Sequence, residues 1–262
     1  MSYALITGAA KGIGSAIAME MAGRGYNLLL VDINGAGLDK TKERINTNLS
    51  AAVYVVQLDL SLPDAAQKLM EWTSPYHNEL NVVINNAGYG LNGAFEKLSI
   101  DEHENIIDLN VKAQLKISHA FIPVLKKFKR SYLLNVSSTT CFQPVPYMSI
   151  YAASKAFVIS FTRSLRYELK DSPVSVSCLI PGSTDTDFVN RARMGEHLKK
   201  TASRYNMTPE SVAKIAVNGM FKGKAEIIPG LSNKLHAFFP RFFPKSVVEN
   251  IAGKIYRPRE KH

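Results

Sequence analysis

The chain has 262 residues, 46% of them apolar and 21% charged, which suffices for one substantial core or two small ones at an ordinary globular charge content. No stretch approaches the roughly 20 continuous apolar residues that cross a bilayer, and two cysteines with six scattered histidines exclude a disulfide scaffold and a metal-ligand pattern. The formal charge of +10 falls entirely in the C-terminal part, because residues 1–190 carry 17 basic and 17 acidic side chains whereas residues 191–262 carry 15 and 5.

The first residues, Tyr3-Ala4-Leu5-Ile6-Thr7, read as a strand and lack the basic n-region of a secretory signal, so a cytoplasmic location is expected. Further short runs rich in Val, Ile and Leu follow at 27–31, 52–57, 81–85, 132–136, 174–180 and 226–228. Buried parallel strands have this composition. The intervening segments are long enough for crossover helices, and their starts carry capping chemistry. Ser61-Leu62-Pro63-Asp64 offers an N-cap Ser, Ser99-Ile100-Asp101-Glu102 a capping box, and Thr208-Pro209-Glu210 a third start. The alternation predicts an α/β fold: a Rossmann-like, doubly wound, seven-stranded parallel sheet with helices on both faces. No linker or domain boundary shows, so residues 1–262 are expected to form one domain.

Gly8, Gly12 and Gly14 stand where the first strand turns into the first helix. A tight turn there brings backbone N–H groups to a pyrophosphate at the positive helix end. The spacing is Gly-x-x-x-Gly-x-Gly rather than Gly-x-Gly-x-x-Gly. Asp32 ends the second strand. A carboxylate there accepts from the adenosine ribose hydroxyls and repels a 2′-phosphate, and Ile33 and Asn34 supply no cation, which favours NAD over NADP. Lys11, inside the glycine turn, points mildly the other way. Asp59 and Leu60 end the third strand, placed for adenine. Asn85-Asn86-Ala87-Gly88 ends the fourth, where Asn side chains can tie strand ends together and Gly88 leaves room for a cofactor.

Ser138 follows the fifth strand, and Tyr151 and Lys155 lie one helical turn apart on one face. A free Tyr titrates near 10, too high for acid/base work near neutrality. A neighbouring ammonium lowers it, and the Ser138 hydroxyl can hold a carbonyl oxygen. Between these residues, Cys141, Phe142, Val145 and Tyr147 are candidates for the pocket wall, with ordinary loop packing the alternative.

Together these motifs resemble the short-chain dehydrogenase/reductase family, and the likeness runs through nearly all of residues 1–190. It rests on Thr7-Gly8-x-x-x-Gly12-Ile13-Gly14, Asn85-Asn86-Ala87-Gly88, Asn110, Ser138, Tyr151, Lys155 and Pro181-Gly182. The resemblance implies hydride transfer between NAD, or less readily NADP, and a carbonyl or secondary alcohol. In it Tyr151 moves the proton, Ser138 orients the carbonyl, Lys155 binds ribose and tunes Tyr151, and Asn110 holds a water in a proton relay. Ile180 and Thr184 or Thr186 would contact the nicotinamide carboxamide. A homodimer or homotetramer is also implied.

A substrate lid is expected over about 183–209. Its Phe188, Val189, Met194 and Leu198 suit an apolar substrate, and its Arg191, Arg193, Lys199, Lys200 and Arg204 suit an anionic head. The extension from about 231 contains Phe238-Phe239-Pro240-Arg241 and then Phe242-Phe243-Pro244-Lys245. Each Pro interrupts helical bonding, so one smooth helix is excluded. The extension is expected to pack over the pocket or at a subunit interface, or else to meet anionic membrane. The basic excess reads equally as a solvated face. A dinucleotide-binding regulatory or scaffold protein is the alternative to an enzyme. No nucleic-acid module is recognisable.

Overall fold

The structure, a computed structural model, describes residues 2–185, 187–198 and 206–258. Seven strands form one sheet: β1 (Tyr3–Thr7), β2 (Asn27–Asp32), β3 (Val53–Gln57), β4 (Leu80–Asn85), β5 (Ser131–Val136), β6 (Val174–Leu179) and β7 (Glu226–Ile227). Their order is β3-β2-β1-β4-β5-β6-β7, and every pairing is parallel. All seven sequence runs are strands, with ends displaced by a residue at most. β2 extends to include Asp32.

A parallel pair cannot be joined by a tight turn, so each connection crosses over a sheet face. The helices α1 (Gly12–Ala22), α2 (Gly35–Asn48) and α8 (Pro209–Phe221) pack on one face, through Ile17, Leu38 and Val217, against Ile6 and Leu30. On the other face α3 (Ala65–Thr73) and α5 (Gln114–Leu125) bury Leu69 and Phe121 against Leu5 and Leu29, and α6 (Ser149–Glu168) adds Leu165 with Leu169 just past its end. Alternate residues of one strand thus feed two cores, as period-two side chains require. The direction of winding reverses between β1 and β4, which opens a crevice at their carboxyl ends.

Two of the three expected helix starts hold. Ser99 and Glu102 form a reciprocal capping box on α4 (Ile100–Ile107), and Thr208 accepts from the Ser211 N–H with Pro209 in the first turn of α8. Ser61 does not cap. Its N–H and hydroxyl both donate to Asp59 Oδ1, at 2.9 and 2.7 Å, and α3 begins only at Ala65. The carboxylate is the stronger acceptor and takes the hydroxyl the helix would have used.

Between α4 and α5 the chain makes a π-helical turn, Asp108–Ala113, with Asn110 inside it. Such turns redirect a side chain that a regular helix would misplace. After a short α7 (Phe188–Arg191), the C-terminal extension folds as α9 (Leu231–Phe238), a 3-10 turn (Phe239–Phe242) and α10 (Lys245–Tyr256), broken at the prolines as expected.

Candidate active site

The crevice above β1 and β4 is a cleft of about 400 Å³ that runs from Asp32 to Tyr151. Gly8 and Gly12 adopt positive φ, +67° and +61°, where a Cβ is strained. Gly14 is needed for a different reason: a Cβ there would lie 2.0 Å from the Gly8 carbonyl oxygen. The turn is braced by Asn86, whose amide donates to the Thr7 and Gly8 carbonyls at 2.9 and 3.0 Å. No side chain caps the first turn of α1. Its N–H groups and the surrounding glycines leave a cradle at the positive end of the helix, which fits a phosphate.

At one end of the cleft, Asp32 Oδ2 accepts from the Ala10 N–H and Oδ1 from the Asn34 N–H, both at 3.0 Å. Asp59, Leu60, Ala87 and Gly88 line the same cleft, as do Lys11 and Ile13. Lys11 is ion-paired with Asp187 across the cleft. Asn85 ties strand ends together as expected, donating to Asn135 Oδ1 at 2.9 Å and to Ser118 Oγ at 3.1 Å.

At the other end stand Tyr151 and Lys155, both buried on α6. The Lys155 ammonium donates to the Val136 carbonyl at 3.0 Å and lies 5.7 Å from the centre of the Tyr151 ring. A hydrogen bond between Ser138 and the Tyr151 phenol holds the phenol's pKa down, but burial outweighs it and pushes the phenol up to about 12. Burial lowers the pKa of Lys155 to about 8. In a dry site, loss of solvation disfavours the charged form of each group.

Asn110 is fully buried. Its amide donates to the Tyr89 carbonyl and to Ser154 Oγ, at 2.8 and 3.0 Å, and its Oδ1 accepts from the Tyr89 N–H at 3.0 Å. A Cβ at Gly88 would meet both Asn110 Oδ1 and Lys155 Nζ, so these groups share one small space.

Pro181 lines the cleft, whereas Gly182 lies behind it against Asn233 of α9. Thr184 Oγ1 is turned to the Gly182 carbonyl at 3.1 Å, Ile180 is fully buried, and Thr186 lies outside the described residues.

The expected pocket wall divides. Val145 packs with Met148, Tyr151 and Ala152, whereas Cys141 and Phe142 pack with Val158 and Ile180. Both cysteines are free, and burial raises their thiols, to about 11 for Cys141 and about 12 for Cys178. From the lid, Phe188 stacks obliquely on Tyr151 at 5.4 Å, and Met194 joins the same cluster. Arg191 lies over the Tyr89 ring and Arg193 is paired with Glu102. Lys199, Lys200 and Arg204 are outside the described residues.

Sequence reasoning missed three residues here. Gly90 lies so close that a Cβ would come within 2.7 Å of the Tyr151 ring, and its only signal is its spacing from Gly88. Asn92 is buried in the loop after β4, and Tyr256, at the end of α10, packs into the Tyr151 cluster. Nothing local in the sequence announces either. The four phenylalanines of the extension, Phe238, Phe239, Phe242 and Phe243, are half or more exposed. Among the described residues no group of side chains could hold a metal, and no helix is long and apolar enough to cross a membrane.

Comparison with known proteins agrees with this geometry. An oxidoreductase-named protein of Mycobacterium tuberculosis, SadH, is 31% identical over 261 residues, covering 96% of this chain and 94% of its own. A short-chain dehydrogenase from Sphingobium yanoikuyae, solved in complex with NADPH, superposes with a TM-score of 0.80 at 26% identity, over 100% of this chain and 98% of that one. The bulky-bulky ketone specific alcohol dehydrogenase from Comamonas testosteroni gives 0.77 at 25% identity, over 100% and 96%. The family model for short chain dehydrogenases matches residues 2–197. With the all-parallel sheet and the dinucleotide cleft in place, the chain belongs to the short-chain dehydrogenase/reductase family of nucleotide-dependent oxidoreductases.

Proposed function

We propose that this protein is an NAD-preferring oxidoreductase that interconverts a ketone and a secondary alcohol on a bulky, largely apolar substrate. The observation that carries it is the convergence of Ser138, Tyr151 and Lys155 at one end of a cleft whose other end is Asp32. Residues 1–262 act as one unit in this reading, with the lid over about 183–209 and the extension from about 231 covering the substrate.

The cleft residues would hold a nicotinamide nucleotide with its pyrophosphate on the glycine turn, its adenosine ribose at Asp32 and its nicotinamide ribose at Lys155. When bound, that group supplies or accepts the hydride. The chain's own residues handle the oxygen. Ser138 and Tyr151 donate to a carbonyl oxygen and polarise it, which stabilises the negative charge that develops there. In the reductive direction Tyr151 gives its proton to that oxygen. In the oxidative direction Tyr151 takes the proton back. Asn110 holds the Tyr89 loop and the Gly88 backbone in position beside Lys155. A place for Asn110 in a proton relay, and contacts from Thr184 and Thr186 to the nicotinamide carboxamide, belong to the same proposal.

NAD is favoured because Asp32 faces the ribose position with no cation following it, and because Lys11 is engaged by Asp187. The apolar substrate is favoured because Phe188, Met194 and Val145 surround Tyr151, while Arg191 and Arg193 are turned to protein groups. The Comamonas enzyme's preference for bulky ketones points the same way.

The test is oxidation of NADH and NADPH with short, bulky and sterol-like ketones, wild type beside Tyr151→Phe. Turnover with NADH that falls at least a thousandfold in the variant, with NADH still bound, supports the reading. NADPH preference overturns the Asp32 argument, and binding without turnover supports the regulatory alternative.

A further inference from the structure

The end of α10 is held by residues that no dinucleotide fold requires. Its last carbonyls have no helical donor, as at any helix C-terminus. Here they are served from outside. The Asn92 amide donates to the Tyr256 carbonyl at 2.8 Å, and the His197 ring to the Ile255 carbonyl at 3.2 Å. Asn92 is only 7% exposed, and it makes two further bonds. Its amide reaches the Tyr147 carbonyl at 3.4 Å, and its main-chain N–H donates to the Ala192 carbonyl at 2.8 Å. The neighbouring Gly93 N–H also donates to Tyr147, at 2.9 Å, and Tyr147 itself sits at a φ of +65°. Four segments remote in sequence, around residues 92, 147, 192 and 256, are thus joined at one residue, Asn92.

The join places the Tyr256 side chain. It packs on the cluster of Val145, Met148, Tyr151 and Ala152, opposite the outward stripe of Val247, Ile251 and Ile255 on the same helix. Its phenol is buried closely enough that an ionised Tyr256 would raise the Tyr151 phenol by repulsion. With Phe188 and Met194 it closes the space beside the group that donates the proton.

We propose that Tyr256, carried by the C-terminal helix of the same chain, is a specificity-determining wall of the substrate site, and that Asn92 is the positioning residue that clasps it there. The proposal rests on the oxidoreductase reading for its substrate but not for its clasp. An aromatic wall fixed by a buried amide accepts a flat or branched apolar substituent and limits its size. The Tyr256 carbonyl left unpaired by losing the Asn92 amide would release the helix end, because an acceptor without a donor is costly.

The experiment has two readouts. Tyr256→Ala is expected to raise kcat/KM for the bulkiest ketone relative to the smallest by at least tenfold. A ratio within twofold of wild type overturns the wall. Asn92→Ala is expected to raise KM for bulky ketones more than it changes kcat, and to speed amide hydrogen exchange at residues 253–257. Asn92→Asp keeps the shape, removes the donor and should act alike, which guards against a poorly folding alanine variant. Unchanged exchange in both Asn92 variants overturns the clasp. If wild type reduces no ketone, the oxidoreductase reading and the wall fail together, and the exchange comparison still decides the clasp.

Discussion

Lys155 carries its charge where burial discourages it. Its ammonium has the Val136 carbonyl at 3.0 Å for a partner but no carboxylate, and its pKa is lowered to about 8. Below about pH 8 the folded and unfolded chains both hold this proton, and the folded state bears the cost of the buried charge. Between about 8 and the ordinary Lys range the unfolded chain keeps a proton that the folded one has released. Unfolding then takes up a proton, and stability from this group rises with pH. Lys155→Met should therefore be more stable than wild type at pH 7, by about 1–3 kcal/mol, with the gap narrowing by pH 9.5. Denaturant titrations at the two values check this, and an equal gap at both would show that the charge carries no such cost. The site thus holds a lysine that weakens the fold, as groups placed for chemistry often do.

The secondary-structure elements place these residues through their ends. Ser138 and Asp32 sit at the carboxyl ends of β5 and β2, and Asn110 points inward because a π-helical turn interrupts the chain between α4 and α5. α4 begins on a complete capping box, with the Ser99 N–H donating to Glu102 Oε2 at 3.0 Å and the Glu102 N–H to Ser99 Oγ at 3.3 Å. Ser99→Ala should cost about 1 kcal/mol of global stability, read as a lower denaturation midpoint with an unchanged slope. No shift in midpoint would mean that solvent replaces the cap at no cost. The contrast with Ser61 is instructive. Both serines precede helical segments, but a carboxylate two residues before Ser61 captures its hydroxyl, and only the folded geometry shows this competition.

For the whole molecule the outstanding feature is the outward face of the C-terminal extension. Phe242 is 66% exposed and Ile251 56%, with Leu231, Leu235, Phe238, Val247 and Ile255 also exposed, and Lys234, Lys245, Lys254 and Arg257 are exposed among them. A self-complementary contact would set cation against cation. An anionic lipid surface answers both the apolar stripe and the excess of cations, against which Glu249 is the one partly exposed acid described on these helices, and we propose it as the partner of this face. The expected result is co-sedimentation with phosphatidylglycerol-containing vesicles at low salt, lost at about 0.5 M salt and in the variant Phe242→Ser/Phe243→Ser. Absence of binding at low salt, or a change in oligomeric state without a change in vesicle binding, overturns it. The homo-oligomer, implied by the family likeness, and the cytoplasmic location, expected from the first residues, remain proposals.

The sequence by itself determined the sheet, because short β-branched runs separated by helix-length segments have few other ways to bury both faces. It also determined the cofactor turn and the Ser138, Tyr151 and Lys155 set, since each depends on spacing within one turn, one strand end or one helix face. Only the tertiary structure decided the electrostatic state of Tyr151 and Lys155, because burial is a property of everything packed around them. It alone decided that Cys141 and Phe142 pack with Val158 and Ile180. It alone brought Asn92 and Tyr256 to the site, because contacts between segments so far apart in the chain leave no local pattern to read.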